Sequence, residues 1–199
     1  MNRKQAIIES ATRLFAEKGF YNTSTPEIAE AAGVAHGTLF YHYTNKEGII
    51  LEIFRRAGAL YLEEMEAAVA ARDTGLEKLE ALLRFNSAFS RSHSRQLLIF
   101  LRDFPDKLTS EHSELKSLVR DTSEKVLATI ARCLETGIAD NSISCADTGK
   151  TAHIINGLIF GIVHMDLLGP VQVPDLEEEV NGFCRAALTP AGPPKKKDK

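Results

Sequence analysis

The sequence predicts an all-α protein of about nine helices, and three observations support this fold class. Leucine, isoleucine, alanine and phenylalanine recur at intervals of three and four residues over long stretches of the chain. Few runs alternate apolar and polar residues in the manner of a β-strand. The 13 glycines and 7 prolines are a modest number of helix breakers for 199 residues, 44% of which are hydrophobic. The chain can therefore form long helices around a buried core.

The first helix is predicted to begin at Asn2, which can cap it with the help of Gln5 three positions on. Apolar residues between Ile7 and Phe15 then fall on one face of the helix. Gly19 is expected to end it, because glycine readily adopts the backbone conformations that terminate a helix. The result is a short amphipathic helix.

Two still shorter helices follow and form a predicted helix-turn-helix. Thr25 is a good N-cap for the first of them, and Pro26 suits the first helical position. Gly33 can end this helix in a left-handed conformation, and "HGTLFYHY" begins the next helix almost at once. Helices this short are marginal in water, so a shared three-helix core must stabilise them. That core is expected to include Ile28, Ala29, Ala32, Val34 and Leu39.

A long fourth helix is predicted after Thr44 or Asn45, either of which can cap it. Five more helices are expected in "GLEKLEALLRFNSAFSR", "RQLLIFLRDF", "SELKSLVRDTSEKVLATIARCLETGI", "ADTGKTAHIINGLIFGIVHMDLL" and "DLEEEVNGFCRAAL", separated by Gly, Pro, Ser or Asp. The final "TPAGPPKKKDK" offers little apolar surface, so residues 189–199 are predicted to form a disordered basic tail.

Composition narrows the possible functions. The formal net charge is -3, so any binding to DNA must depend on a local surface. The three cysteines form no CxxC pair, and the histidines show no HxxxH or HExxH spacing. No phosphate-binding glycine loop or nucleophile motif is present, which argues against an enzyme, a cofactor or a metal site. The absence of a leader, and the polar residues within the most apolar stretch, predict a cytoplasmic protein with no membrane partner.

One long segment carries a specific resemblance: "AIIESATRLFAEKGFYNTSTPEIAEAAGVAHGTLFYHYTNKEGIILEIF" is similar along its whole length to the DNA-binding domain of the TetR/AcrR family of transcriptional regulators. Its marks are the "A..LF.EKGF" end of helix one, the "T...IA..AGV" helix and turn, and the "GTLFYHY.NKE" recognition helix. The resemblance covers about a quarter of the chain. It implies a helix-turn-helix DNA-binding domain at residues 1–48 and a helical ligand-binding and dimerisation domain at residues 49–188.

The proposed recognition helix also meets the chemical demands of the major groove. Leu39 and Tyr43, four residues apart, can face the core, while the small and hydrogen-bonding side chains between them remain available to DNA. By resemblance, Thr25, Tyr41, His42 and Lys46 mainly hold the DNA backbone, and His36, Gly37 and Thr38 mainly read bases. Phe40 departs from the family, which often has tyrosine there, and cannot donate a hydroxyl hydrogen bond to a phosphate.

The resemblance further implies a homodimer and a small-molecule inducer. Apolar residues and glycines of the last two helices would form the dimer interface: Ile155, Gly157, Leu158, Gly161, Ile162, Leu176, Val180 and Phe183. An apolar or amphipathic inducer would contact aromatic residues and polar anchors: Phe85, Phe89, Phe100, Arg102, Phe104, Asn156, Phe160 and His164. Packing within one subunit remains an alternative for both sets.

The mechanism implied is linkage between two binding equilibria. Operator DNA favours two recognition helices about 34 to 36 Å apart, whereas the ligand favours a conformation in which they are out of register. The ligand then releases a repressor from its operator, although activation is also compatible with the sequence. A nonspecific architectural DNA-binding protein is the alternative function, and the acidic charge balance argues against it.

Overall fold

A computed structural model describes residues 2–103, 113–170 and 173–190, and within them it contains nine α-helices and no β-strand. The helices are α1 (Arg3–Lys18), α2 (Thr25–Ala31), α3 (His36–His42), α4 (Lys46–Ala70), α5 (Gly75–Ser92), α6 (Ser94–Asp103), α7 (Ser113–Ala139), α8 (Thr148–Leu168) and α9 (Leu176–Leu188). The predicted all-α class is confirmed. Phe104 and residues 191–199, most of the predicted tail, lie outside the described residues.

The ends of the first and fourth helices follow local capping chemistry. The Asn2 side chain accepts a hydrogen bond from the Lys4 amide, and the Gly19 amide donates to the Phe15 carbonyl at the other end of α1. Of the two candidate caps for α4, Asn45 is the one used, since its Oδ1 accepts a 2.8 Å hydrogen bond from the Gly48 amide.

The described chain divides into two compact units, of which the first comprises Met1–Leu62 and Phe89–Ser123. Its core contains the apolar faces of α1, α2 and α3 and the first half of α4, including Phe15, Ile28 and Leu39. Ile99 of α6 and Leu115 of α7 are buried in the same core. Helix α1 packs against α6 as well as against α2 and α3. Helix α6 is therefore an integral part of this unit.

The second unit comprises Glu63–Ala88 and Glu124–Lys199. Helices α8 and α9 pack against each other, and the Ser144 amide donates a 2.7 Å hydrogen bond to the Leu188 carbonyl. The start of α5 approaches the end of α7 so closely that a Cβ on Gly75 would lie 2.0 Å from the Gly137 nitrogen. Only glycine at position 75 permits this approach.

The two compact units divide the chain at other residues than the predicted domains, 1–48 and 49–188, which stay a prediction. Helices α4, α5 and α7 each contribute residues to both units. The difference arises because α6 and the start of α7 bury apolar side chains in the core of the first unit.

Helix α8 combines length with unusual exposure. Among the described helices it is the one long and apolar enough to cross a bilayer by length and composition, a test that core helices of water-soluble proteins also pass. Yet less than a quarter of its most apolar stretch is buried. Much of the apolar surface of α8 is therefore available to a partner.

Candidate nucleic-acid interface

The N-terminus of α2 is capped one residue earlier than the sequence predicts. Ser24 is the N-cap, and Thr25 occupies the first helical position. Ser24 and Glu27 form a reciprocal capping box, in which Glu27 accepts a 2.9 Å hydrogen bond from the Ser24 amide. The expectation that Thr25 caps the helix was wrong, because only Ser24 has a glutamate three positions on. The Thr25 hydroxyl is consequently free of the capping role.

The α1–α2 loop (residues 19–24) is held by Lys46, at the start of α4. The Lys46 ammonium donates hydrogen bonds to the carbonyl oxygens of Phe20 at 2.7 Å and Thr23 at 2.9 Å, and it lies 4.5 Å from the centre of the Phe20 ring. Burial lowers the pKa of Lys46 from its ordinary value. The predicted phosphate contact of Lys46 is thus joined by a structural role that sequence reasoning missed.

The turn between α2 and α3 matches the prediction for a helix-turn-helix. Gly33 has a φ of 64°, in the left-handed region that favours glycine. Leu39 and Tyr43 are buried in the core of the first unit, as expected from their spacing of four residues. Burial raises the pKa of Tyr43 to about 12, and its hydroxyl oxygen has no hydrogen-bond partner among the described residues. Tyr43 therefore anchors α3 from within.

The opposite side of α3 is exposed. Tyr41 is 85% exposed, and its ring meets the ring of His42 edge-on at 5.2 Å. Phe40 is 44% exposed and packs edge-on against His36 at 4.7 Å. A Cβ on Gly37 would meet no atom within 4 Å. The helix thus presents aromatic rings, imidazoles and a bare stretch of backbone to its surroundings.

A side-chain contact joins the starts of α2 and α3. The Thr25 hydroxyl lies 3.4 Å from Nε2 of His36, within hydrogen-bonding distance. With Phe40 on its other side, the His36 ring is held in a defined orientation. The structure therefore brings together Thr25, His36 and the exposed side of α3, whereas Lys46 lies at the loop between α1 and α2. Sequence spacing gave no signal for the contact between Thr25 and His36.

The predicted inducer-binding residues that the structure describes are divided between the two units. Phe89 and Phe100 belong to the first unit, where Phe89 contacts Tyr61 and stacks on His93 while Phe100 contacts Phe54. Arg102 was expected to be a polar anchor for the inducer. Its guanidinium instead donates hydrogen bonds to the carbonyl oxygens of Phe15 and Ala16, at the end of α1. Phe104 lies outside the described residues.

The remaining inducer candidates belong to the second unit. Phe85 and Asn156 are half-buried, and Phe160 and His164 are exposed. A cleft of about 240 Å³, counting the part open to solvent, lies elsewhere in this unit. Its lining consists of Leu83, Asn86, Ser87, Ile159, Ile162, Val163, Glu177, Val180 and Asn181. None of the predicted inducer-binding residues lines that cleft.

The residues predicted for the dimer interface fall on two faces of α8. Ile155 and Ile162 are buried within their own unit, so their side chains are not available to a partner. A Cβ on Gly157 or Gly161 would meet no atom within 4 Å. The structure adds exposed apolar residues that the prediction omitted: Ile154, Phe160, Met165 and Leu168 on α8, and Val173 before α9. On α9, Phe183 is 64% exposed, whereas Leu176 and Val180 are half-buried.

Groups that would support other chemistry are sparse in the described parts of the chain. No cluster of three or more His, Cys, Asp or Glu side chains that could hold a metal ion occurs there. Cys133, Cys145 and Cys184 are free thiols, and burial raises the pKa of Cys133 to about 11. A buried thiol with a raised pKa is a poor nucleophile.

Comparison with known proteins shows which family the N-terminal segment resembles. The sequence model for bacterial regulatory proteins of the tetR family matches residues 7–53, which contain α2, α3, most of α1 and the start of α4. The fatty acid metabolism regulator protein of Bacillus subtilis is 26% identical over 158 residues, covering 79% of this chain and 77% of that protein.

Solved structures share the whole fold. The transcriptional regulator FadR from Bacillus subtilis in complex with stearoyl-CoA has a TM-score of 0.78 at 21% identity, covering 92% of this chain and 98% of that one. A transcriptional regulator from Saccharomonospora viridis in complex with choline has a TM-score of 0.85 at 23% identity, covering 94% and 98%. The N-terminal segment is thus similar to bacterial regulatory proteins of the tetR family, and the fold of the chain is similar to that of solved transcriptional regulators.

Proposed function

We propose that this protein is a sequence-specific DNA-binding transcriptional regulator, and specifically a repressor that a small apolar or amphipathic ligand releases from its operator. One observation carries the DNA-binding part: α3 is anchored through Leu39 and Tyr43 and leaves Gly37 and Tyr41 open on the other side. A helix that is firmly held on one side and rich in hydrogen-bonding groups on the other suits the major groove.

We divide the exposed groups of α2 and α3 between contacts with the DNA backbone and contacts with the bases. We assign Tyr41 and His42 to the phosphates, because a phenol and an imidazole can donate hydrogen bonds to phosphate oxygens. Thr25 belongs with them through its hydroxyl. His36, Gly37 and Thr38 would face the bases, where the missing side chain at position 37 allows close approach of the helix to the groove.

Lys46 has a narrower role in this proposal than sequence reasoning gave it. Two of its three N–H groups serve the carbonyls of the α1–α2 loop. We therefore propose that Lys46 contributes to DNA binding chiefly by fixing that loop, with one donor left for a phosphate.

The proposal of a homodimer is supported by the apolar surface of the second unit. Exposed Ile154 and Phe183, together with the open glycines of α8, would be covered by the same helices of a second subunit. Two copies would supply two recognition helices for two half-sites, about 34 to 36 Å apart along the DNA. A glycine-lined apolar helix face allows the close helix–helix packing that such an interface needs.

Ligand release is supported by the relatives. The transcriptional regulator FadR from Bacillus subtilis was solved with stearoyl-CoA, and the regulator from Saccharomonospora viridis with choline. Stearoyl-CoA joins a long apolar chain to a charged head, whereas choline is a small polar cation. We propose an inducer closer in character to stearoyl-CoA, with Phe85, Asn156, Phe160 and His164 retained as candidate contacts.

The alternative function is a nonspecific architectural DNA-binding protein, which depends on charge neutralisation along the duplex. The formal net charge of -3 disfavours it. An enzyme is disfavoured because the relatives are regulators. A bacterial regulator of this kind would act in the cytoplasm, where the chromosome is.

The proposed function is tested by measuring the affinity of the purified protein for the DNA upstream of its own gene and for a scrambled duplex of equal length. Sites selected from random oligonucleotides provide a second duplex in case the operator lies elsewhere. A preference of at least about 1000-fold, typical of specific DNA-binding proteins, is expected. Equal affinity for all duplexes, with a steep dependence on salt, would support the architectural alternative.

A further inference from the structure

The C-terminus of α6 is bonded directly to the C-terminus of α1. Arg102, one residue before the end of α6, donates a 2.9 Å hydrogen bond from Nη1 to the Ala16 carbonyl, and its other terminal nitrogen donates to the Phe15 carbonyl. The last carbonyls of a helix have few partners within the helix itself. The planar guanidinium fork thus caps α1 from a position 86 residues beyond Ala16 in sequence.

Asp103, the next residue, binds the backbone that follows α1. Its Oδ2 accepts a 3.2 Å hydrogen bond from the Phe20 amide and a 2.8 Å hydrogen bond from Arg102. The Asp103 side chain is only 10% exposed, whereas that of its partner Arg102 is 34% exposed, so the carboxylate is more shielded from solvent than the guanidinium. The hydrogen bond to Asp103 in turn raises the pKa of Arg102, which keeps the guanidinium charged.

The α1–α2 loop is therefore held from two sides. Asp103 binds the amide of Phe20 and Lys46 binds its carbonyl, so the Phe20 peptide groups are fixed by an anion and a cation from different helices. Lys46 also binds the Thr23 carbonyl, three residues further along the loop. The backbone positions of both ends of the loop are thus set by charged side chains from α4 and α6.

The loop so held leads straight to the DNA-binding surface. Ser24, its last residue, caps α2. Thr25, the first residue of α2, contacts the His36 ring at the start of α3. A shift of the α1–α2 loop would therefore move the Thr25 hydroxyl, which contacts the His36 imidazole.

We propose that Arg102 and Asp103 are positioning residues for sequence-specific DNA binding, acting through the α1–α2 loop on Thr25 and His36. The proposal rests on the DNA-binding function proposed above. Neither residue is proposed to contact DNA itself. Their bonds to the end of α1 and to the Phe20 amide set where α2 begins, and through Thr25 they set the orientation of the base-reading imidazole.

Removing the Asp103 carboxylate changes DNA affinity in opposite directions depending on whether the residue acts by positioning or only through its charge. Replacing Asp103 by alanine removes a negative charge, which by itself strengthens attraction to the DNA polyanion. Loss of positioning weakens specific binding instead. Asp121→Ala is the matched control, because Asp121 is an exposed aspartate of α7 in the same unit and it too pairs with a neighbouring arginine, Arg120.

The experiment measures the affinity of full-length wild-type protein, Asp103→Ala and Asp121→Ala for an operator duplex and for a scrambled duplex, with thermal unfolding followed in parallel. For Asp103→Ala we expect operator affinity to fall about tenfold, the equivalent of one hydrogen bond to a charged group, while the affinity for scrambled DNA is unchanged or slightly raised by the lost negative charge. Asp121→Ala loses the same charge and should bind both duplexes at least as tightly as wild type. Arg102→Lys, which keeps the charge but loses the fork, should behave like Asp103→Ala.

The outcomes distinguish this inference from the function on which it rests. If wild-type protein shows no preference for any duplex, the proposed function itself fails. If wild-type protein is specific but Asp103→Ala and Arg102→Lys bind operator as tightly as Asp121→Ala, the positioning role is overturned. A merely structural role would lower the affinities for both duplexes by the same factor, following the folded fraction, and this result would also overturn it. Should Asp103→Ala fail to fold, Arg102→Lys decides the question.

Discussion

Helices α3 and α8 both expose aromatic or apolar side chains, yet the surroundings of those side chains differ. On α3 the exposed Tyr41 lies against His42, and the half-exposed Phe40 lies against His36, so each ring is paired with an imidazole. On α8 one stripe of residues is apolar or glycine over more than three turns: Ile154, Gly157, Leu158, Gly161, Met165 and Leu168. The first surface suits a polar partner, and the second suits an apolar one.

The groups that neighbour an exposed aromatic ring indicate which kind of partner it binds. A ring beside hydrogen-bonding groups offers stacking and polar contacts together, which a nucleic acid can use. A continuous apolar stripe gains free energy only when another apolar surface covers it. We therefore propose DNA as the partner of the first unit and a second subunit as the partner of the second unit, and each proposal can be tested separately.

The largest effect is expected for Ile154→Glu on α8. A carboxylate buried without a partner in a helix–helix interface should weaken dimerisation by at least about 3 kcal/mol. Analytical ultracentrifugation across a range of concentrations measures the dissociation constant. The control is Ala128→Glu, which places the same charge at an exposed position of α7 in the same unit. Dimers of unchanged strength in Ile154→Glu would break the assignment of α8 to subunit contact.

A smaller loss is expected from the double substitution Tyr41→Phe and His42→Ala on α3. Each substitution removes a donor to a phosphate, so operator affinity should fall about 100-fold while the dimer persists. Fluorescence anisotropy with labelled operator gives the affinity. The pair Tyr61→Phe and His153→Ala changes the same residue types outside both α3 and the α1–α2 loop and should bind like wild type. Retained operator binding by the α3 double variant would contradict the assignment of α3 to DNA.

The glycines of the two helices provide a sharper, paired comparison. Alanine at Gly37 or at Gly161 meets no atom of its own unit and should raise intrinsic helix stability by about 0.5 to 1 kcal/mol. We expect Gly37→Ala to weaken operator binding about tenfold without changing dimerisation, the loss of roughly one good base contact. Gly161→Ala should weaken dimerisation without changing the operator affinity of the dimer. If both variants changed the same equilibrium, whether operator binding or dimerisation, the separate roles of α3 and α8 would be contradicted.

The smallest effect is expected in the pH dependence of the free energy of unfolding, through the cap of α2. The hydrogen bond from Lys18 and those from Ser24 lower the pKa of Glu27 from its ordinary value of 4.5 to about 2. Because the folded state has the lower pKa, this stabilisation is complete above pH 4.5 and is lost as the pH falls toward 2. Denaturant unfolding across this acid range should show a shallower pH dependence for Glu27→Gln than for wild type. Glu30→Gln, on the same helix, should parallel wild type.

Much of this arrangement could be predicted from sequence because it depends on local patterns. Helix spacing, the Gly33 turn and the inward positions of Leu39 and Tyr43 are all encoded within a few residues of each other. The α2 cap shows the limit of such reasoning: Ser24 and Thr25 are both good caps, and only the reciprocal bond with Glu27 distinguishes them.

What could not be predicted depends on contacts between residues far apart in sequence. Arg102 in an amphipathic helix gives no sign that it caps α1, and Gly75 gives no sign that it must approach Gly137. Helical periodicity identified α8 as apolar on more than one side, but it did not decide which side faces the unit's own core. Ile155 and Ile162 were therefore grouped with residues that turn out to lie on the exposed side.

The central claim is that a dimer places two copies of α3 in successive major grooves of a specific operator. Hydroxyl-radical footprinting of the selected site, combined with methylation interference, tests it directly. The account predicts two protected half-sites related by a twofold axis, separated by roughly one helical turn or a multiple of it, with guanine methylation in the major groove blocking binding. A single protected half-site, or uniform protection without a boundary, would contradict it.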